Sequence, residues 1–171
     1  MTTMKVKLGE YVRDALTGYE GIAASKVEMM GGNVQICVQP QVADEEKGKY
    51  PDAMNLDHHT LDVLNAGISS RVTEPIPVTV QLGDKVEDIV TGLTGIATVR
   101  YTYMNGCIYY GVQPKMMEDK QTGIKGIPDP HHLNQARLKV VQQVVAKIPD
   151  AVPTTEGRRP GGPATKAMRQ T

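Results

Sequence analysis

The four histidines of this 171-residue chain fall in two adjacent pairs, His58-His59 and His131-His132, each close to an aspartate, Asp57 and Asp129. Imidazole and carboxylate together can hold a divalent metal or move a proton. Neighbouring residues on a strand point to opposite faces, however, so an adjacent pair in extended chain does not present both rings to one ion. All four are read as surface or loop-packing residues, with no metal and no cofactor assigned. A second set of candidates is acidic: Glu10 and Asp14 recur as Asp84 and Asp88, and paired carboxylates serve glycoside hydrolysis and metal binding. Asp14 and Asp88 each stand just ahead of a Thr-Gly step, where a carboxylate can accept the backbone donors of a tight turn. That structural reading is preferred. No nucleophile, base and oxyanion set accompanies them, so the expectation is a protein that is not an enzyme.

Cys37 and Cys107 lie in no Cys-x-x-Cys motif and beside no histidine, which argues against zinc or thiol catalysis. Oxidising surroundings could still cross-link them. The run Gly157 to Pro163 has the glycines of a phosphate loop but lacks the Lys-Ser/Thr that would follow.

Whatever these groups do, a repeat positions them. Residues 8–40 align without a gap to 82–114 at an offset of 74, with 14 of 33 positions identical, too many for coincidence. The match resumes at an offset of 77, pairing Leu56 with Leu133, Leu61 with Leu138 and Val63 with Val140. Within each unit the apolar period is two. Val34, Ile36 and Val38 alternate with Gln35, Cys37 and Gln39, and Ile108, Tyr110 and Val112 with Tyr109 and Gly111, as half-buried strands do. Thr17-Gly18-x-x-Gly21 and Thr91-Gly92-x-x-Gly95 read as hairpin turns that need positive φ, and Asn105-Gly106 marks the next reversal. Polar connections over 41–55 and 115–132 precede a last short strand at 60–64 and 137–141.

Composition agrees with a turn-rich β protein: Gly and Pro together make up 28 residues, and Trp and Phe are absent, so the cores must be small and aliphatic. The expected architecture is all-β, with two tandem SH3-like small barrels at 1–65 and 81–147, an extended linker at 66–80 and an extended Pro/Gly-rich arm at 148–171. A unit of about 60 residues is marginal alone, which favours packing of the two copies or docking to a partner. Gly9, Asp14, Thr17, Gly18, Gly21, Gly32, Gly83, Asp88, Thr91, Gly92, Gly95 and Gly106 are assigned to structural turns. Arg158, Arg159, Pro160, Gly161, Gly162 and Pro163 are assigned to a partner-binding arm.

Nineteen basic and nineteen acidic side chains give zero formal charge, which disfavours nucleic acid and a membrane surface as partners. The N-terminus lacks the apolar core of a signal peptide, so the chain is expected to be made in the cytoplasm.

The pattern Leu82-Gly83-Asp84-x-Val86-x-Asp88-x-x-Thr91-Gly92-x-x-Gly95-Ile96-Ala97-Thr98, followed by Tyr103-x-Asn105-Gly106-Cys107 and Val112-Gln113-Pro114, resembles small uncharacterised proteins of tailed bacteriophages. Its Gly-Asp-x-Val opening is also similar to that of KOW and SH3-like barrels. The first copy matches less closely, with Asn33 at the Cys107 position. The resemblance implies a virion setting and carries over no catalytic residue. The expected function is that of a non-enzymatic structural protein of the particle, decorating and stabilising the capsid. Its partners would be the major capsid protein and neighbouring copies of itself. A neck, collar or tail accessory protein, contacting neck or tail proteins, is the next reading. The competing class is a tandem KOW-like module for protein or RNA, which would need a basic groove with exposed aromatics drawn from Lys26, Arg100, Tyr101, Tyr103, Tyr109 and Tyr110.

Overall fold

The computed structural model describes residues 5–42 and 48–144, so the arm, with Arg158 to Pro163, lies outside the described residues. The chain is all-β. Among the described residues there is no α-helix, and no helix is long and apolar enough to cross a membrane.

The first repeat supplies β1 (Tyr11–Asp14), β2 (Glu20–Met29), β3 (Val34–Gln39), β4 (Met54–Asp57) and β5 (Leu61–Asn65). The second supplies β6 (Lys85–Asp88), β7 (Thr94–Tyr103), β8 (Ile108–Gln113), a small hairpin of β9 (Met117–Glu118) and β10 (Lys125–Gly126), then β11 (His131–Asn134) and β12 (Leu138–Gln142). In both repeats the pairing order is the same and antiparallel: β5-β1-β2-β3-β4 and β12-β6-β7-β8-β11. β2 and β7 are ten residues long, and a bulge bends each of them, at Ala23/Ser25 and at Ala97/Val99. Ahead of the bulge each strand pairs within its own repeat on both edges. Beyond it, β2 pairs with β7, and ten strands become one antiparallel sheet that does not close on itself.

Alternation places an aliphatic core in each repeat. Val6, Val12, Ala23, Ile36, Val38 and Leu61 form the first, and Val80, Val86, Ala97, Ile108, Tyr110 and Val112 the second. Ile36 and Tyr110 are equivalent positions, so the second core takes a ring where the first takes a branched chain. The linker runs against the second repeat, with Thr73 N–H donating to the Met104 carbonyl at 2.8 Å and Ile76 N–H to that of Gly106 at 3.1 Å.

The β2/β7 register has a local two-fold. Val27 pairs with Tyr101, its own counterpart at the offset of 74, and Ser25↔Tyr103 mirrors Met29↔Val99. The two repeats therefore meet as an isologous pair, the same strand from each side.

The glycines divide into two kinds. Gly18 and Gly92, both at φ 76°, turn the chain between β1 and β2 and between β6 and β7, and Gly9, Gly83, Gly32 and Gly106 also have positive φ. Gly21 and Gly95 depart from the expectation of a turn: they lie inside β2 and β7. There a Cβ would stand 2.5 Å from the Gln39 carbonyl oxygen at Gly21, and 2.6 Å from that of Gln113 at Gly95, so close backbone approach excludes a side chain. Gly21→Ala is expected to cost about 1–3 kcal/mol, measured as a lower midpoint in urea denaturation.

The connections expected over 41–55 and 115–132 contain more structure than their polarity suggested. β4 and β11 are edge strands in which one apolar side chain, Leu56 or Leu133, turns toward a core, too few for alternation to show. Each leads into a single 3-10 turn, His58–Thr60 or Gln135–Arg137, capped by Asp57 or Asn134.

Candidate functional site

The recurring aspartates are turn-holders in different states of completion. Asp14 is buried, and its Oδ2 accepts from the Thr17 backbone at 3.0 Å and from the Thr17 hydroxyl at 2.6 Å. Its Oδ1 has no hydrogen-bond partner. Asp88 takes the Thr91 hydroxyl at 2.6 Å and, in addition, two donors from Arg137 at 2.6 and 3.0 Å. The Arg137 bonds foremost, and then Thr91, hold the Asp88 carboxyl far below the usual carboxylate range. At Asp14 the Thr17 hydroxyl foremost lowers the carboxyl. The residue equivalent to Arg137 is Thr60, whose hydroxyl donates to the Asp57 carbonyl and, after Thr17, also helps to lower the Asp14 carboxyl without supplying the charge that Arg137 gives Asp88.

Ligand atoms of Asp57, His58 and His59 come within 4.8 Å of one another. The expectation of rings pointing apart does not hold for this pair. It sits on a 3-10 turn rather than a strand, and the ring centroids are 3.7 Å apart. Two of its polar atoms have local partners: Asp57 Oδ1 caps His59 N–H at 2.8 Å, and His58 Nδ1 lies 3.0 Å from the Val34 carbonyl of β3. His131 and His132 are on β11, where adjacent side chains do diverge.

The six residues proposed for a basic aromatic groove separate into three places. Lys26 and Arg100 share Glu28, at 3.2 and 2.9 Å, in a half-buried seam between the two cores. Burial pushes Glu28 up, but the Arg100 hydrogen bond and the Lys26 charge outweigh it and hold the carboxyl below its ordinary value. Tyr110 is fully buried. Tyr101, Tyr103 and Tyr109 occupy register positions on the opposite face of the sheet from this seam. The basic groove is therefore not assembled.

What sequence reasoning missed is the partner of those three tyrosines. His132 stacks on Tyr109 with centroids 4.8 Å apart and planes 16° apart, and its ring lies 4.7 Å from that of Tyr101. Tyr103 meets Tyr109 edge-on at 5.7 Å, and its hydroxyl lies 3.4 Å from His132 Nε2. Burial lowers the His132 pKa, favouring a neutral ring, and raises that of Tyr103. The signal was the period-two spacing of the tyrosines, but β11 itself was not legible.

Cys37 and Cys107 are free. Cys37 pairs with Ser25, Ser25 with Tyr103, and Tyr103 N–H donates to the Cys107 carbonyl. Three strand spacings, about 14 Å, separate the two cysteines, beyond the reach of a bridge within one chain.

Comparison with protein-family models, curated proteins and solved structures found no match.

Proposed function

We propose that this chain is a non-enzymatic structural protein of a tailed-phage particle, decorating the capsid lattice through a rigid body and a basic arm. Each repeat is read as a strongly bent SH3-like small barrel, because its fifth strand returns beside its first around a separate core. The observation that carries the proposal is where apolar side chains remain exposed. Several of the most exposed lie at turns, Leu16 between β1 and β2, Ile89 and Val90 between β6 and β7, and Met117, Ile124 and Ile127 around the β9–β10 hairpin, while others such as Met54, Leu64, Ile76 and Val141 lie on edge strands and the linker. Side chains of this kind on turns, with the body stiffened by one sheet, suit a protein that seats on other protein surfaces. The arm would add linked contacts and raise avidity. Deleting residues 150–171 is expected to weaken particle binding at least tenfold in co-sedimentation, with the circular dichroism of the sheet unchanged. Undiminished occupancy would refute the arm's role. Binding to isolated necks or tails in preference to capsids would move the protein to that part of the particle.

A further inference from the structure

Tyr101, Tyr103, Tyr109 and His132 occupy positions that the first repeat fills with Val27, Met29, Gln35 and Asn55. The first repeat forms the same strands, bulge and capped turn with no ring at any of these four positions. The aromatic cluster is therefore not a requirement of the fold. Neighbouring register positions on this face, Ser25, Val27, Gln35, Cys37 and Asn134, carry no charge. The rings form a partly exposed aromatic cluster, with the Tyr103 hydroxyl 3.4 Å from His132 Nε2.

Such a surface suits a ligand that is apolar, already stiff and able to place a cation on a ring face. Proline-rich segments in the polyproline II conformation meet the first two conditions, since they lose little entropy on docking to aromatic rings. Guanidinium groups meet the third. The sequence Arg158-Arg159-Pro160-Gly161-Gly162-Pro163 combines them, with prolines three residues apart on one side of a polyproline helix, about 9 Å along its axis. Tyr101, Tyr109 and Tyr103 gather around His132, with ring centroids 4.7, 4.8 and 6.4 Å from its ring, a compact cluster on which a proline ring and a guanidinium can each find a face. The two glycines between the prolines bring no side chain to hold the backbone away.

Charge and length point the same way. Residues 145–171 hold five basic and two acidic side chains, leaving fourteen basic against seventeen acidic in residues 1–144. A chain of zero net charge is thus an acidic body with a basic arm. Thirteen residues separate Val144 from Arg158, a reach of up to about 45 Å, enough to arrive at an adjacent molecule.

We propose that Tyr101, Tyr103, Tyr109 and His132 form a docking cradle for the Arg158–Pro163 segment of a second copy's arm, which would chain adjacent copies together on the particle. This rests on the arm being a partner-binding element, as proposed above.

The test uses the full-length chain with Arg158, Arg159, Pro160 and Pro163 all changed to Ala, so that its own arm cannot compete, and a synthetic peptide of residues 152–165 as the probe. Binding is followed by titration calorimetry and by the tyrosine ring resonances in NMR spectra. Saturable binding that shifts the rings of Tyr101, Tyr103 and Tyr109 is expected. It should weaken at least tenfold when the cradle takes the residues of the first repeat, Tyr101→Val, Tyr103→Met, Tyr109→Gln and His132→Asn, with the folded spectrum retained. A peptide carrying the same four alanines should also lose binding. Equal affinity for the swapped cradle, or no binding at all, overturns the proposal, as does a single-stranded oligonucleotide that shifts the rings where the peptide does not. If the peptide fails while arm deletion still weakens particle binding, the arm lands elsewhere and only this inference falls.

Discussion

Replacing Tyr110 with Ala is expected to destabilise the protein by about 3–5 kcal/mol, and replacing it with Phe by about 1–2 kcal/mol, in chemical denaturation followed by circular dichroism. The ring is fully buried at the centre of the second core, so its deletion leaves a cavity that rigid strands on either side cannot collapse into. The hydroxyl has a separate task. It donates to the Val80 carbonyl at 2.6 Å and stands 3.3 Å from Gln135 Oε1, while Gln135 Nε2 donates to the Pro77 carbonyl at 2.9 Å and its Oε1 accepts from Thr79 N–H at 3.1 Å. Three elements meet there: the end of the linker, strand β8 and the 3-10 turn before β12. Phe keeps the volume but leaves a buried carbonyl without its donor. A Phe variant as stable as the parent would show that the linker is held by something else.

Arg137→Thr, which installs the first repeat's residue, is expected to lower the melting temperature on the order of 5 °C at neutral pH, and the difference should shrink progressively as the pH falls below about 4. The Asp88 carboxylate is 1% exposed, and loss of Arg137 leaves it with Thr91 and a long bond from Val90 N–H at 3.3 Å. Because the folded-state pKa of Asp88 lies below its unfolded value, the stability it confers is fully present above about pH 4 and is lost as the pH falls through the folded value. Acid thus protonates the carboxylate and removes the advantage of the arginine. The reciprocal variant, Thr60→Arg, offers Asp14 Oδ1 the guanidinium that it lacks and should raise the melting temperature. A pH-independent effect of Arg137→Thr would mean that the arginine acts through packing of its stem alone.

Much of this architecture could be read from residue order, for identifiable reasons. Val34, Ile36 and Val38, like Ile108, Tyr110 and Val112, line one face, so β3 and β8 follow from alternation, and the offsets of 74 and 77 carry one repeat's reading to the other. Asp14 and Asp88 could be assigned to turns because the hydroxyl acceptor-donor step, Thr17 or Thr91, follows three residues on. The edge strands β4 and β11 escaped because a strand paired on one side, with one inward leucine, has no period to detect, whereas β5 and β12, richer in aliphatic residues, could be read. That loss propagated to the site: with β11 unseen, His132 had no reason to be set beside Tyr109, and the tyrosines were grouped instead with Lys26 and Arg100, which alternation itself sends to the other face. The β2/β7 pairing was equally hidden, since nothing in a local pattern says which strand continues into which.

That pairing also bears on how the chain could have come to differ between its halves. Were two separate identical subunits joined through this strand, any change at residue 27 would confront itself across the axis, and every charge on the seam would arrive in duplicate. Covalent tandem duplication removes that restriction, because each side of the axis then mutates alone. The seam records the result: Lys26 and Arg100 are equivalent positions and both keep a cation, but the position of Glu28 became Thr102 in the other half, so one acid is held between two bases. The aromatic cluster of the second repeat is a difference of the same kind, one half carrying rings where the other carries Val27, Met29, Gln35 and Asn55.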